Sequence, residues 1–333
     1  YRYVDKRDAS TRTADNVTWS GSNGDSYDDS DDSIDAGTGY TTIQAAVDAA
    51  SVGDTIYMRG DTYNEYAISI SASDASHDGT GWTDGNYTTL ASYPGEWAIL
   101  DGEDAHDNYA AIQSESYMAY NYSWDLEYWK FERFEVTGYE SGFWMNGGPL
   151  WFRYLYIHHN NVLVGDNKGG IEIICPNNCI IEYCYLSDNG TSNENNCNIE
   201  FTSDQQDTSA NGGEGGSFNP ATATVRNTIR YNYLSGSGTQ QNFRHKNEQR
   251  FGVNSRDPND MTYAEYGDNI HHNIVLDGTK GLVTCQDFTQ IHHNITNRRI
   301  ELGHYDGGES DIRPEGDTPI VYNAVAYNNT QVG

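Results

Sequence analysis

The sequence predicts an all-β chain wound into a right-handed parallel β-helix, with a short helix capping its N-terminal end. Three observations carry this. A four-residue phrase recurs along the chain, a second strand follows nearly every phrase, and asparagine occupies one fixed position of the phrase in the C-terminal half. Internal repetition of this kind marks a solenoid, in which each unit buries its apolar face only against its neighbours.

From the N-terminus, Tyr1-Arg-Tyr-Val4 reads as a strand and is followed by a Gly- and Asp-rich stretch. Thr41-Thr-Ile-Gln-Ala-Ala-Val-Asp-Ala-Ala50 carries apolar residues at helical spacing. Ser51-Val-Gly-Asp-Thr-Ile-Tyr-Met-Arg-Gly60 then turns at Gly53 into a strand, and Thr62-Tyr63 leads into the next. Ala91-Ser-Tyr-Pro-Gly-Glu96 and Ile99-Leu-Asp-Gly102 follow. This ordered set resembles the opening of the pectate-lyase-like right-handed β-helix superfamily. The resemblance implies a helix covering the open end of the solenoid. It fixes function less narrowly, because the superfamily holds polysaccharide lyases, hydrolases, epimerases, tailspikes and non-catalytic surface proteins.

The phrase reads Phe131-Glu-Arg-Phe134, Phe152-Arg-Tyr-Leu155, Ile181-Glu-Tyr-Cys184, Ile229-Arg-Tyr-Asn232, Ile270-His-His-Asn273, Ile291-His-His-Asn294 and Ile320-Val-Tyr-Asn323. Its starts lie 21, 29, 48, 41, 21 and 29 residues apart, so the shortest interval is one coil and the longer ones carry insertions. Equivalent positions of a parallel solenoid stack about 4.8 Å apart. Asn232, Asn273, Asn294 and Asn323 are therefore expected to form a ladder of amides at a buried corner, satisfying polar groups that the turn otherwise strands. The paired histidines His271-His272 and His292-His293 fall at one register and read as an imidazole ladder in preference to a metal site. His158-His159 sits three positions later in its phrase and stays apart.

Second strands are expected at 143–146, 171–174, 199–202, 243–246, 282–285 and 300–303, with first and third residues inward and second and fourth outward. The whole chain, 1–333, is then one domain: cap and first coils over 1–102, repeated coils over 103–333. Insertions fall near 203–224, 247–266 and 303–318, and solenoid insertions commonly build the functional face.

Composition narrows the partners. The 333 residues hold 19 Lys+Arg against 49 Asp+Glu, a net charge of −30 and a pI near 4.4. Nucleic acid, which asks for a basic surface, is excluded, and anionic membranes are disfavoured. No apolar run approaches the roughly 20 residues that span a bilayer. Few lysines, abundant Asp and 26 Tyr place the chain outside the cell, secreted or on the surface. Sequons at Asn16, Asn86, Asn121 and Asn189 fit a glycoprotein, whereas that of Asn294 falls in the ladder. Four of five cysteines (Cys175, Cys179, Cys184, Cys197) lie close together, so one or two local disulfides are expected, with Cys285 apart.

Stacking the second strands gives an outward column Trp144, Glu172, Glu200, Arg244, Val283, Glu301. Two carboxylates one coil apart repel unless a cation intervenes, which Ca²⁺ held by Glu172 and Glu200 with Asp204 or Asp207 relieves; a salt bridge from Glu200 to Arg244 is the structural alternative. Polysaccharide lyases of the superfamily perform β-elimination on uronic acids, and the resemblance maps Lys246 as base and Arg244 as the group neutralising the uronate carboxylate. Arg250 and Arg256 then bind further uronates in the densest basic segment of the chain. Trp144, with Trp124, Trp129 and Trp151, offers rings for sugar stacking or for packing. His304, in Leu302-Gly-His-Tyr305, partly echoes the Gly-His-Gly of the hydrolase branch. The expected partner is an acidic polysaccharide or cell-surface glycan. The alternative is a non-catalytic adhesive or appendage protein, whose exposed terminal coil is open to self-association.

Overall fold

The computed structural model describes residues 2–4, 19–20, 26–27, 39–65, 67–70, 86–103, 110–114, 128–160, 169–174, 176–190, 196–202, 226–236, 241–246, 267–284, 288–302 and 324–332. Three parallel sheets of ten, nine and eight strands run the length of a right-handed β-helix. The first sheet takes the recurring phrase, from Arg2–Val4 and Thr55–Met58 through Trp129–Glu132, Ile180–Glu182 and Asn269–His271 to Val325–Tyr327. The third takes the second strands, among them Ser141–Asn146, Gly169–Ile174, Cys197–Thr202, Gln241–Lys246 and Lys280–Thr284. Between them runs a sheet that sequence reading did not separate. Its strands, such as Tyr156–His158, Tyr185–Ser187 and Tyr233–Ser235, hold only three residues, too few to show a period.

Pairing is in register, so like stacks on like. Phe131, Phe152, Ile181, Ile229, Ile270 and Ile291 form one continuous inward column of the first sheet. Phe143, Ile171, Ile199, Phe243 and Leu282 form another on the third. All of these are buried. Phe131 and Phe143 meet across the core at 5.2 Å between ring centroids. Every inward side chain touches the coil above and below, which lets a thin core carry the fold.

The N-terminal cap is a helix over Ile43–Asp48. Thr42 at its N-cap accepts from the Ala45 amide, and the Glu65 carboxylate accepts from the amides of Ile43 and Gln44. Ile43, Ala46 and Val47 face the core and close the first coil. Gly53, at φ +81°, makes the turn that returns the chain from helix to strand, and an added Cβ would lie 2.4 Å from Asn86.

The asparagine ladder forms. The Asn232 side chain donates to Asn273 Oδ1 at 3.0 Å, Asn273 to Asn294 Oδ1 at 3.0 Å, and Asn294 to Asn329 Oδ1 at 3.0 Å. Each Oδ1 also accepts from the backbone amide of the preceding rung, and each Nδ2 also donates to a strand carbonyl one coil back. The last rung is corrected from Asn323 to Asn329: Ala326, not Ile320, stands opposite Ile291, and Asn323 lies outside the described residues.

A second asparagine ladder went unread in the sequence. It links Asn160, Asn189, Asn198 and Asn242 at another corner through bonds of 2.8 Å. This overturns Asn189 as a glycosylation site, because its amide is buried and donates to both Ile157 O and Asn198 Oδ1. Asn86 is exposed, while Asn16 and Asn121 lie outside the described residues. The expected local disulfides are also corrected for three of the cysteines. Cys179, Cys184 and Cys197 are buried and in no disulfide, and burial pushes the Cys179 and Cys184 thiols up to about 12. Such thiols stay protonated and inert. Cys175 and Cys285 lie outside the described residues.

Candidate functional site

The outward column of the third sheet stands as its register requires. Trp144 lies opposite Glu172, Glu172 opposite Glu200, Glu200 opposite Arg244, Arg244 opposite Val283, and Val283 opposite Glu301. In the adjoining column Asn146, Ile174, Thr202 and Lys246 are successive partners. Strand alternation makes this the outer face because Phe243 and His245 take the inner one, where both rings pack edge-on against Phe201.

Outward does not mean exposed here. The Arg244 side chain is 0% accessible and that of Glu200 4%, and they pair at 2.7 Å between Nη2 and Oε2. Thr202 Oγ1 donates to the other oxygen, Oε1, at 3.2 Å. The salt-bridge alternative is therefore present in the structure. Glu172 and Trp144 are likewise buried, so the Trp144 ring offers no open face for stacking a sugar. Further along, Glu301 closes on Lys280 and on Arg299. Lys246 holds its register position opposite Thr202, two residues from Arg244. Asp204, Asp207, Arg250, Arg256 and His304 lie outside the described residues.

Calcium takes six to eight oxygen ligands at about 2.3–2.6 Å. Glu200 already commits one oxygen to Arg244 and the other to Thr202. Among the described residues, no three His, Cys, Asp or Glu side chains converge on a metal position. The described donors therefore do not fit a calcium cage. The charge of Glu200 is neutralised by the Arg244 guanidinium instead.

Directly beneath this column lies a feature missed in the sequence. His245 Nδ1 and Asp268 Oδ2 are 2.5 Å apart, both side chains fully buried. Asp268 Oδ1 also accepts from Asn227 Nδ2 at 3.0 Å, and its backbone amide donates to Thr289 Oγ1 at 3.4 Å. A polar pair in an apolar column is costly unless fully bonded, and this one ties the strand bearing Arg244 to the next coil of the first sheet. The signal was available: His245 falls on the inward phase set by Phe201 and Phe243, and an inward imidazole requires a partner.

A separate concavity of about 460 Å³ lies on the first sheet, lined by Tyr57, Lys130, Glu132 and Arg133 among others. Both of its cations close on Glu132, at 3.0 and 2.6 Å, so it presents little free charge.

The fold is a right-handed parallel β-helix, and one stretch of the chain is similar in sequence to a pectate lyase. Over 116 residues it is 35% identical to pectate lyase PEL9 of Emericella nidulans, a stretch that covers 34% of this chain and 26% of that protein. The chain thus matches about a quarter of the length of this curated relative. No family model matches. The crystal structure of pectate lyase Pel9A superposes with a TM-score of 0.46 at 12% identity, covering 87% of this chain and 74% of that one. A PL6 family polysaccharide lyase of Pseudopedobacter saltans gives 0.37 at 11% identity, covering 86% and 72%. Both scores fall below one half, so the fold assignment rests on the chain's own three sheets. Among the described residues no helix is long and apolar enough to cross a membrane.

Proposed function

We propose that the protein is an extracellular polysaccharide lyase that cleaves uronic-acid-containing glycans by β-elimination over the outer face of the third sheet. The observation that carries this reading is the in-register set Glu200, Arg244, Thr202 and Lys246, in which a lysine and a buried arginine stand two residues apart on one strand. The similarity to a pectate lyase over a third of the chain supports it.

In this scheme Lys246 removes the C5 proton of the uronate. The electron pair moves into a C4–C5 double bond, and the 4-O-linked sugar departs with the pair of the broken bond. A lysine acts as base when a neighbouring cation lowers its pKa, and Arg244, fixed by Glu200, is that cation. Because Arg244 is buried against Glu200, neutralisation of the uronate carboxylate falls to Arg250 and Arg256. No step is routed through calcium, since the described donors do not build its site. The −30 charge repels a polyanion at long range, so turnover is expected to need salt, which shortens the Debye length to about 8 Å at physiological strength.

The test is ultraviolet absorbance of the conjugated unsaturated product on a panel of uronate polymers, with and without chelator. Lys246→Ala is expected to abolish product while leaving the far-ultraviolet circular dichroism unchanged. A fully active Lys246→Ala protein removes that residue from the mechanism. No product from any polymer overturns the lyase reading in favour of a glycan-binding or structural β-helix.

A further inference from the structure

The first sheet ends two successive coils with paired histidines that act as one unit. His271 closes the strand Asn269–His271 and His292 closes Gln290–His292, while His272 and His293 follow at φ +57° and +56°. The left-handed residue swings its ring back over the strand end. As a result Nδ1 of His271 lies 2.8 Å from Nδ1 of His272, and Nδ1 of His292 lies 2.8 Å from Nδ1 of His293. The two coils stack these pairs ring on ring: His271 on His292 at 5.0 Å and 2°, His272 on His293 at 5.1 Å and 7°. The result is a grid of four imidazoles, its outer pair exposed and its inner pair half-buried.

We propose that this grid binds one divalent transition-metal ion of the imidazole-favouring kind, copper, nickel or zinc, chelated by the paired Nδ1 atoms of one coil. Three observations point there. Two imidazole nitrogens on one ion at right angles, each at about 2.0–2.1 Å, stand about 2.9 Å apart, close to the spacing already present. His292 Nε2 lies 3.0 Å from Asn269 Oδ1, an acceptor that fixes the proton on Nε2 and leaves Nδ1 as the bare nitrogen. An outer acceptor on the second ring nitrogen is the usual support of a histidine ligand. The nearest strand cation below the grid, Arg230, is held by Glu182 at 2.7 Å.

The metal-free pair shares one proton, donated by His293 Nδ1 to His292 Nδ1. On chelation that proton moves to His293 Nε2 through solvent, and no net proton is released. No third His, Cys, Asp or Glu among the described residues converges on either pair, so water completes the coordination. Two dications one coil apart repel, which limits the grid to one ion. His158 and His159 form a second pair of the same kind on the second sheet, their Nδ1 atoms 2.7 Å apart and His158 Nε2 3.0 Å from Glu135 Oε1, so the same chemistry gives a separate equivalent there.

The experiment is titration of the tag-free full chain with Cu²⁺ at neutral pH, followed by calorimetry and frozen-solution electron paramagnetic resonance. Two equivalents with nitrogen splitting from two imidazoles are expected, one at the grid and one at the His158–His159 pair. The double variant His272→Asn/His293→Asn keeps the backbone, since Asn328 holds the same left-handed corner one coil on at φ +51°. Reducing the grid's chelate to single imidazoles is expected to weaken one of the two equivalents at least about tenfold, whereas His159→Asn weakens only the other. Absence of nitrogen-ligated copper in the native chain, or a double variant that keeps both equivalents at undiminished affinity, overturns the proposal. The readout is independent of lyase turnover, so it stands or falls apart from the proposed activity.

Discussion

The outward column of the third sheet and the outward corner of the first are built by one rule and end in opposite environments. Both stack equivalent residues of successive coils. Along the third sheet this gives Trp144, Glu172, Glu200 and Arg244, all buried. At the corner of the first sheet it gives Tyr154, Tyr183, Tyr231, His272 and His293, all exposed, with ring centroids 5.1–5.2 Å apart. Burial decides what stacking does. In the buried column a charge must find a partner, as Glu200 does in Arg244. At the exposed corner the rings lean on one another and water covers their edges, so the same spacing costs little and holds loosely.

The largest expected effect lies in the buried column. Arg244→Met leaves the Glu200 carboxylate buried without its guanidinium, and breaking such a pair destabilises by about 3–5 kcal/mol. The urea midpoint measures it. The double variant Arg244→Met/Glu200→Gln removes the orphaned charge and is expected to recover most of the loss. A single variant within about 1 kcal/mol of the native chain would show that the column behaves like the exposed corner.

A smaller effect separates the middle of the asparagine ladder from its end. Asn273 receives bonds from the amide and side chain of Asn232 and gives bonds to Asn294 Oδ1 and Ile229 O. Asn273→Ala strands the buried donors of Asn232 on one side and the buried acceptors Asn294 Oδ1 and Ile229 O on the other, and is expected to cost about 1–3 kcal/mol. Asn329→Ala, on the half-buried terminal rung, is expected to cost clearly less. Equal losses would mean that the ladder acts as one cooperative unit whatever its burial.

What the sequence revealed follows the same division. Register was legible because parallel pairing repeats one residue's environment in the next coil, so Trp144 to Glu301 and the rungs Asn232, Asn273 and Asn294 could be aligned by phrase alone. Cover was not legible. Alternation sets the direction of Arg244 but not what lies over it, so a residue expected to meet substrate turned out to be locked to Glu200. The final rung slipped to Asn329 because two similar phrases lie a few residues apart, and the small Ala326 rather than Ile320 takes the inward place. The ladder through Asn160, Asn189, Asn198 and Asn242 escaped because its rungs come from different places in the coil, two of them strand residues of the third sheet.

The smallest expected effect is at the exposed corner, and it is one of pH. Burial, followed by the neighbouring His292 and His272, lowers the His271 pKa to about 4, and burial with His293 and His272 lowers that of His292. The folded chain therefore holds these rings neutral, while the unfolded chain takes up protons near the ordinary value of 6.5. The stability they contribute is whole above 6.5 and drains away as the pH falls from there toward 4, because the unfolded state then binds more protons. His271 is only half-buried, so solvent screening keeps the change modest. The check is the melting temperature as a function of pH across that window, compared with the double variant His271→Gln/His292→Gln. Carboxylates titrate alike in both proteins, so the difference between the curves isolates the rings: it is expected to shrink steadily below pH 6.5, and a difference that stays constant would mean that the stacked imidazoles accept protons as freely folded as unfolded.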